Sequence, residues 1–137
     1  MSRTIHLAGA RARILIVDDE RDNRELLGII LGHEGFVIAT AASGEEALVA
    51  VAHQPPDLIL LDIMMPGMDG YEVARKIKGE PATKDIRVII MSALDDRNAR
   101  ALAASAGAEG FLSRSMRRAE LCAGVRRHLA APLPVVA

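Results

Sequence analysis

The chain has 137 residues, 50% of them hydrophobic and 26% charged, with a net charge of −1. That length favours a single domain with its own core, and the charge balance excludes a chain that binds polyanions over its whole surface. Aromatic residues make up only 2%, so the core has to be aliphatic. The single Cys122 excludes an internal disulfide and fits a reducing compartment. Residues 1–13 lack a continuous apolar segment, and no apolar run approaches membrane-spanning length. The expected location is the cytoplasm, without membrane contact.

The first apolar run, Ile14 to Val17, reads as a strand. A helix follows over Asp22 to Gly32, with Leu26, Leu27, Ile30 and Leu31 on one face and Gly32 or Gly35 as its end. Phe36 to Thr40 is a second strand. Ser43-Gly44-Glu45-Glu46 is a capping box that opens a helix with Ala47, Leu48 and Val51 inward, and Pro55-Pro56 stops it. Leu58 to Leu61 is a third strand, followed by a Pro66-Gly67 turn and a helix over Tyr71 to Lys78. Arg87 to Met91 is a fourth strand. Asp96 to Ala106 is an Ala-rich helix closed by Gly107. Gly110 to Leu112 is a short fifth strand, and Arg117 to Ala130 a last helix with Leu121, Val125 and Leu129 inward.

Strands that are nearly unbroken apolar runs, alternating with helices, predict an α/β fold: a doubly wound, five-stranded parallel sheet with helices on both faces. The first and third strands both end in acids. Asp18, Asp19 and Glu20 follow Val17, and Asp62 follows Leu61. Acids gathered at the carboxyl edge of such a sheet lie where open α/β sheets bind ligands. Clustered carboxylates repel one another unless a proton or a cation intervenes. Oxygen ligands alone suit a hard divalent ion, and Mg2+ fits best.

These segments resemble the receiver domain of two-component response regulators, over residues 12–130. The matching pieces are Ile16-Val17-Asp18-Asp19-Glu20, Leu61-Asp62-Ile63-Met64-Met65-Pro66-Gly67-Met68-Asp69-Gly70 and Met91-Ser92-Ala93, in the family's order. The resemblance implies a flavodoxin-like fold, flanked here by an N-terminal extension over 1–11 and a tail over 131–137. It implies that Asp62 accepts a phosphoryl group from a sensor histidine kinase or a histidine phosphotransfer protein. It assigns Mg2+ to Asp18, Asp19, Asp62 and the backbone carbonyl of Met64. It gives Ser92 a contact with the phosphoryl oxygens and makes Phe111 the aromatic switch residue. A carboxylate is a weak nucleophile, so transfer needs charge neutralised at the moving oxygens, which a bound cation supplies while keeping Asp62 ionised.

The chain departs from the family after the fifth strand, where Arg114-Ser115 replaces the usual Lys-Pro. Arg keeps the charge and offers a bidentate clamp, but its longer, planar head makes the exchange non-conservative. The Lys-Pro peptide of the family is typically cis. Without proline a cis bond costs ~2.5–4 kcal/mol, so Arg114–Ser115 is expected trans, in a reshaped loop. From sequence, Arg114 suits either the phosphoryl pocket or a solvated loop. Phe111 lacks the hydroxyl of the alternative Tyr.

Other features have plainer readings. Asp69 reads as a helix cap, Cys122 as a small buried hydrophobe, and Met64, Met65, Met68 and Met91 as loop and core packing. Arg117, Arg118, Arg126 and Arg127 read as a solvated helix face, with no helix-turn-helix behind them, so direct nucleic-acid binding is not expected. His6, His33, His53 and His128 show no ligand spacing. The expected function is a phosphoryl-accepting switch acting through protein–protein contacts, homodimerisation included, and not an enzyme beyond its own phosphorylation and dephosphorylation. The alternative is a degenerate receiver that binds partners independently of phosphorylation. A Mg2+-dependent phosphatase would need a second acid two residues after its nucleophile, where this chain has Met64. Met1 and the tail after Ala130 lead to the expectation of a free-standing receiver rather than a piece of a hybrid kinase.

Overall fold

A computed structural model describes residues 11–93 and 97–130. The tail, residues 1–10 of the extension and Asp96 at the expected helix start lie outside the described residues. The elements run β1 (Arg13–Val17), α1 (Arg21–His33), β2 (Val37–Ala41), α2 (Gly44–His53), β3 (Leu58–Asp62), α3 (Gly70–Lys78), β4 (Arg87–Ser92), α4 (Arg97–Ser105), β5 (Gly110–Ser113) and α5 (Arg118–Ala130). All strands pair in parallel in the order β2-β1-β3-β4-β5. This is the five-stranded parallel sheet expected from the sequence. No helix among the described residues is long and apolar enough to cross a membrane.

The pleat sends alternate residues of each central strand to opposite faces. Leu15, Val17, Ile59, Leu61, Val88 and Ile90 pack with Ala47 and Val51 of α2, Val73 and Ile77 of α3 and Ala103 of α4. Ile14, Ile16, Leu58, Leu60, Ile89 and Met91 pack with Leu27 and Leu31 of α1 and Leu121, Cys122 and Val125 of α5. Both faces are covered, which is why β3 reads as Leu-Ile-Leu-Leu without polar interruption. Burying each such side chain stabilises the fold by ~1.5–3 kcal/mol relative to leaving it in water.

Helix ends follow local chemistry. After α1 the Gly35 N–H bonds the Gly32 carbonyl and the Phe36 N–H the Leu31 carbonyl, with Gly35 at φ +94°. The Gly107 and Ala108 N–H groups close α4 in the same way, on Ala104 and Ala103. Both are Schellman ends, which need a residue that tolerates positive φ. The Ser43 hydroxyl accepts from the Glu46 N–H at 3.1 Å as expected of a capping box. The Glu46 carboxylate, however, returns to the Ala42 N–H rather than to that of Ser43. One core expectation is corrected: Leu26 is 56% exposed. Periodicity alone places it beside Leu27, but only Leu27 and Leu31 are buried on α1, a helix whose sheet-facing stripe is narrow.

Candidate functional site

Sheet order brings the acids together. Val17 pairs with Leu61, so the residues that follow, Asp18 and Asp62, leave neighbouring strands side by side. The connection after β1 runs to one side of the sheet and that after β3 to the other, and the crevice opens where these directions diverge. Asp18 is 1% exposed and Asp62 6%, whereas Asp19 is exposed. One carboxylate oxygen from each of Asp18, Asp19 and Asp62 lies within 4.8 Å of the others.

The buried acids are held by backbone. Asp18 Oδ1 accepts the Glu20 N–H at 2.9 Å, and the Asp18 carbonyl accepts from Arg24 Nη1 at 2.8 Å. Asp18 thus does not cap α1; Glu20 is the N-cap residue, without a side-chain cap bond. Asp62 Oδ1 accepts the Met64 N–H at 3.4 Å. The Met64 side chain is 67% exposed and takes no part in the core, unlike Met65 and Met91. The Gly67 turn sits at φ +76°, and Asp69 caps α3 by accepting the Glu72 N–H at 3.0 Å. At Gly70 an added Cβ would fall 2.4 Å from the Asp62 carbonyl oxygen and 2.8 Å from Ile63 Cα, so only glycine lets α3 start against the end of β3.

Arg114 follows β5 and reaches acids that lie two strands away at Asp62 and three at Asp18. Ser92 pairs with Ser113, and the Arg114 N–H donates to the Ser92 carbonyl at 3.0 Å. The Arg114 side chain is 23% exposed, and its Nη2 donates to both Asp18 Oδ2 and Asp62 Oδ1, the latter at 3.1 Å. Of the two placements open to Arg114 from sequence, the structure has the pocket. Among the described residues no peptide bond is cis, so Arg114–Ser115 is trans. The new turn is tied by serine hydroxyls: Ser113 Oγ accepts the Ser115 N–H at 3.2 Å and lies 2.8 Å from Ser115 Oγ.

Burial pushes the Asp62 carboxyl above the usual carboxylate range, against the pull of the Arg114 guanidinium. Desolvation works against the charge of Arg114, but its bonds to Asp18 and Asp62 outweigh that and hold it firmly cationic. Three carboxylates face one guanidinium, a formal excess of two negative charges. An all-oxygen donor set with that excess fits a divalent cation such as Mg2+.

Ser92 is fully buried at the end of β4. Phe111, paired with Ile90 on β5, is half-buried, and the Arg100 guanidinium of α4 lies 4.8 Å above its ring. Sequence reasoning missed Arg24 and Arg100. Each is one basic residue on a helix, and only the packing shows that one holds the Asp18 carbonyl and the other covers Phe111.

Residues 14–126 match the model of the response regulator receiver domain. The chain belongs to this family. Over 115 residues it is 45% identical to the response regulator PleD of Caulobacter vibrioides, a match covering 84% of this chain and 25% of that protein. The match spans about a quarter of the length of PleD and about half of that of the DNA-binding response regulator MtrA of Mycobacterium leprae. Among solved structures, the chemotaxis protein CheY4 of Vibrio cholerae superposes with a TM-score of 0.82 at 26% identity, covering 86% of this chain and 98% of that one. The response regulator TrrA of Thermotoga maritima, solved in complex with Mg(2+)-BeF, gives 0.77 at 38% identity, covering 85% and 98%. The receiver fold and the two-component family expected from sequence are therefore those of this chain, and its acidic cluster suits a receiver's phosphorylation and Mg2+ site.

Proposed function

We propose that this receiver domain is a switch phosphorylated on Asp62. The carrying observation is the meeting of Asp18, Asp19 and Asp62 at the switch point of the sheet, with Arg114 bonded to the same acids. An Asp62 carboxylate oxygen attacks the phosphorus of a phosphohistidine on a sensor kinase or phosphotransfer protein. The P–N bond breaks, and the leaving imidazole keeps its electron pair and takes up a proton. Asp18, Asp19, Asp62 and the Met64 carbonyl would hold Mg2+, which would supply charge neutralisation at the transferring oxygens. Ser92 and Arg114 bind the phosphoryl oxygens of the product by charge-assisted hydrogen bonds. Phe111, three residues before Arg114 and under Arg100, links that rearrangement to the surface of α4, β5 and α5, where a protein partner or a second copy docks. The domain works in the cytoplasm. The similarity to TrrA, solved with Mg(2+)-BeF, supports this reading.

The test is an intact-mass spectrum after incubation with acetyl phosphate and Mg2+, with Asp62→Asn and metal-free samples alongside. One phosphoryl adduct is expected, and only when both Asp62 and the cation are present. An adduct of equal yield on Asp62→Asn would remove the assignment. No adduct with acetyl phosphate or with a cognate kinase would leave a phosphorylation-independent interaction module.

A further inference from the structure

The two oxygens of the Asp18 carboxylate have different partners. Oδ1 is committed to the Glu20 N–H at 2.9 Å, and Oδ2 is held by Arg114 Nη2. With the side chain 1% exposed, water does not stand in for either. A cation ligated by Oδ2 would share that oxygen with the guanidinium nitrogen already on it. The same Nη2 also bonds Asp62 Oδ1. Mg2+ holds its oxygen ligands at about 2.0–2.1 Å, so an ion on Asp18 Oδ2 or Asp62 Oδ1 would sit directly beside the guanidinium nitrogen bonded to the same oxygen. Two positive charges at that spacing also repel strongly inside a partly desolvated pocket.

We propose that Arg114 is a built-in competitor of the divalent cation: binding of the cation at Asp18 and Asp62 expels the guanidinium, which then becomes available to an anion on Asp62. The proposal rests on the cation-binding reading of Asp18, Asp19 and Asp62. The local backbone suits an exchange of this kind. The Arg114 N–H is fixed on the Ser92 carbonyl, and the Met116 N–H on the Ser113 carbonyl at 3.2 Å. The Ser113 hydroxyl ties down the Ser115 N–H. With the main chain anchored on both sides, the exchange needs only side-chain torsions, and a partly exposed arginine changes these readily. In the cation-free protein the guanidinium bridges two buried carboxylates and offsets their mutual repulsion. Arg114 therefore sets the affinity for the metal as well as meeting the phosphoryl group.

The experiment is a titration of the full chain with Mn2+, following free Mn2+ by electron paramagnetic resonance, with Mg2+ as competitor. Wild type is compared with Arg114→Gln and Arg21→Gln. Arg21→Gln removes an equal charge from the first turn of α1, where it pairs with exposed Glu25 instead of the acids of the site. Arg114→Gln is expected to bind about tenfold tighter than wild type, ~1.4 kcal/mol, and Arg21→Gln to change by less than about threefold by general electrostatics alone. In wild type, saturating Mg2+ is also expected to move the Arg114 Nε–Hε NMR signal, a readout that needs no variant to fold. Equal or weaker binding by Arg114→Gln, or an unmoved signal, overturns the competition while leaving the cation site standing. Absence of Mn2+ and Mg2+ binding in every sample overturns the competition together with the cation-site reading.

Discussion

Gly70→Ala joins the fold to the site most directly. The new methyl would lie 2.4 Å from the Asp62 carbonyl oxygen, 2.8 Å from Ile63 Cα and 3.0 Å from the Asp62 carbonyl carbon. All three are main-chain atoms, so no side chain can rotate out of the way; either α3 or the Asp62–Ile63 peptide has to shift. Forcing a methyl into packed surroundings costs ~1–3 kcal/mol, and immobile backbone places this case at the upper end. Alanine's better helix propensity returns at most ~1 kcal/mol, leaving a net loss of about 2 kcal/mol. With a urea slope of ~1–3 kcal/mol/M, the unfolding midpoint falls by roughly 1 M. Gly35→Ala is the control: it meets no atom within 4 Å but sits at φ +94°, so its cost is conformational, ~1–2 kcal/mol. Urea unfolding followed by circular dichroism measures both, and Mn2+ titration reads the site. Both variants lose stability, but only Gly70→Ala also weakens cation binding, because only there does the main chain that carries Asp62 move. A Gly70→Ala protein within about 0.5 kcal/mol of wild type, or a destabilised one with unchanged cation affinity, would refute the reasoning.

Two predictions concern the opposite edge of the sheet. Lys78 Nζ donates to the carbonyls of Lys84 at 2.7 Å and Ile86 at 2.8 Å and pairs with Glu109, whose other oxygen accepts the Val88 N–H at 2.8 Å. Lys78→Met keeps the stem and removes the donor, so a loss of ~2–3 kcal/mol is expected, with faster amide hydrogen exchange across residues 80–86; unchanged exchange there would contradict it. Burial, helped by Arg127 and Arg87 against Glu109, holds the His128 imidazole below its ordinary value of 6.5. A histidine whose folded value is lowered stabilises above pH 6.5, and that contribution disappears as pH falls through the folded value. Thermal unfolding of wild type from pH 7.5 downward should therefore lose more stability than that of His128→Gln. Parallel slopes would show that His128 is not the group responsible.

Much of the chain's local structure is set by residues close in sequence. Apolar runs specify buried strands, Ser43 and Asp69 cap helices, and Gly35 and Gly107 end them, because each depends on torsions and hydrogen bonds within a few residues. The acids at the ends of β1 and β3 and the order of the family's segments were equally legible. Tertiary structure alone decided that Asp18 is buried while its neighbour Asp19 is exposed, that Leu26 faces solvent, and that Glu46 turns back to Ala42. It also decided that Arg114 sits between Asp18 and Asp62, since β1, β3 and β5 meet there only through the sheet order, which no local pattern encodes. Periodicity reports which face of an element is apolar; which distant charge meets which acid depends on how those faces are stacked.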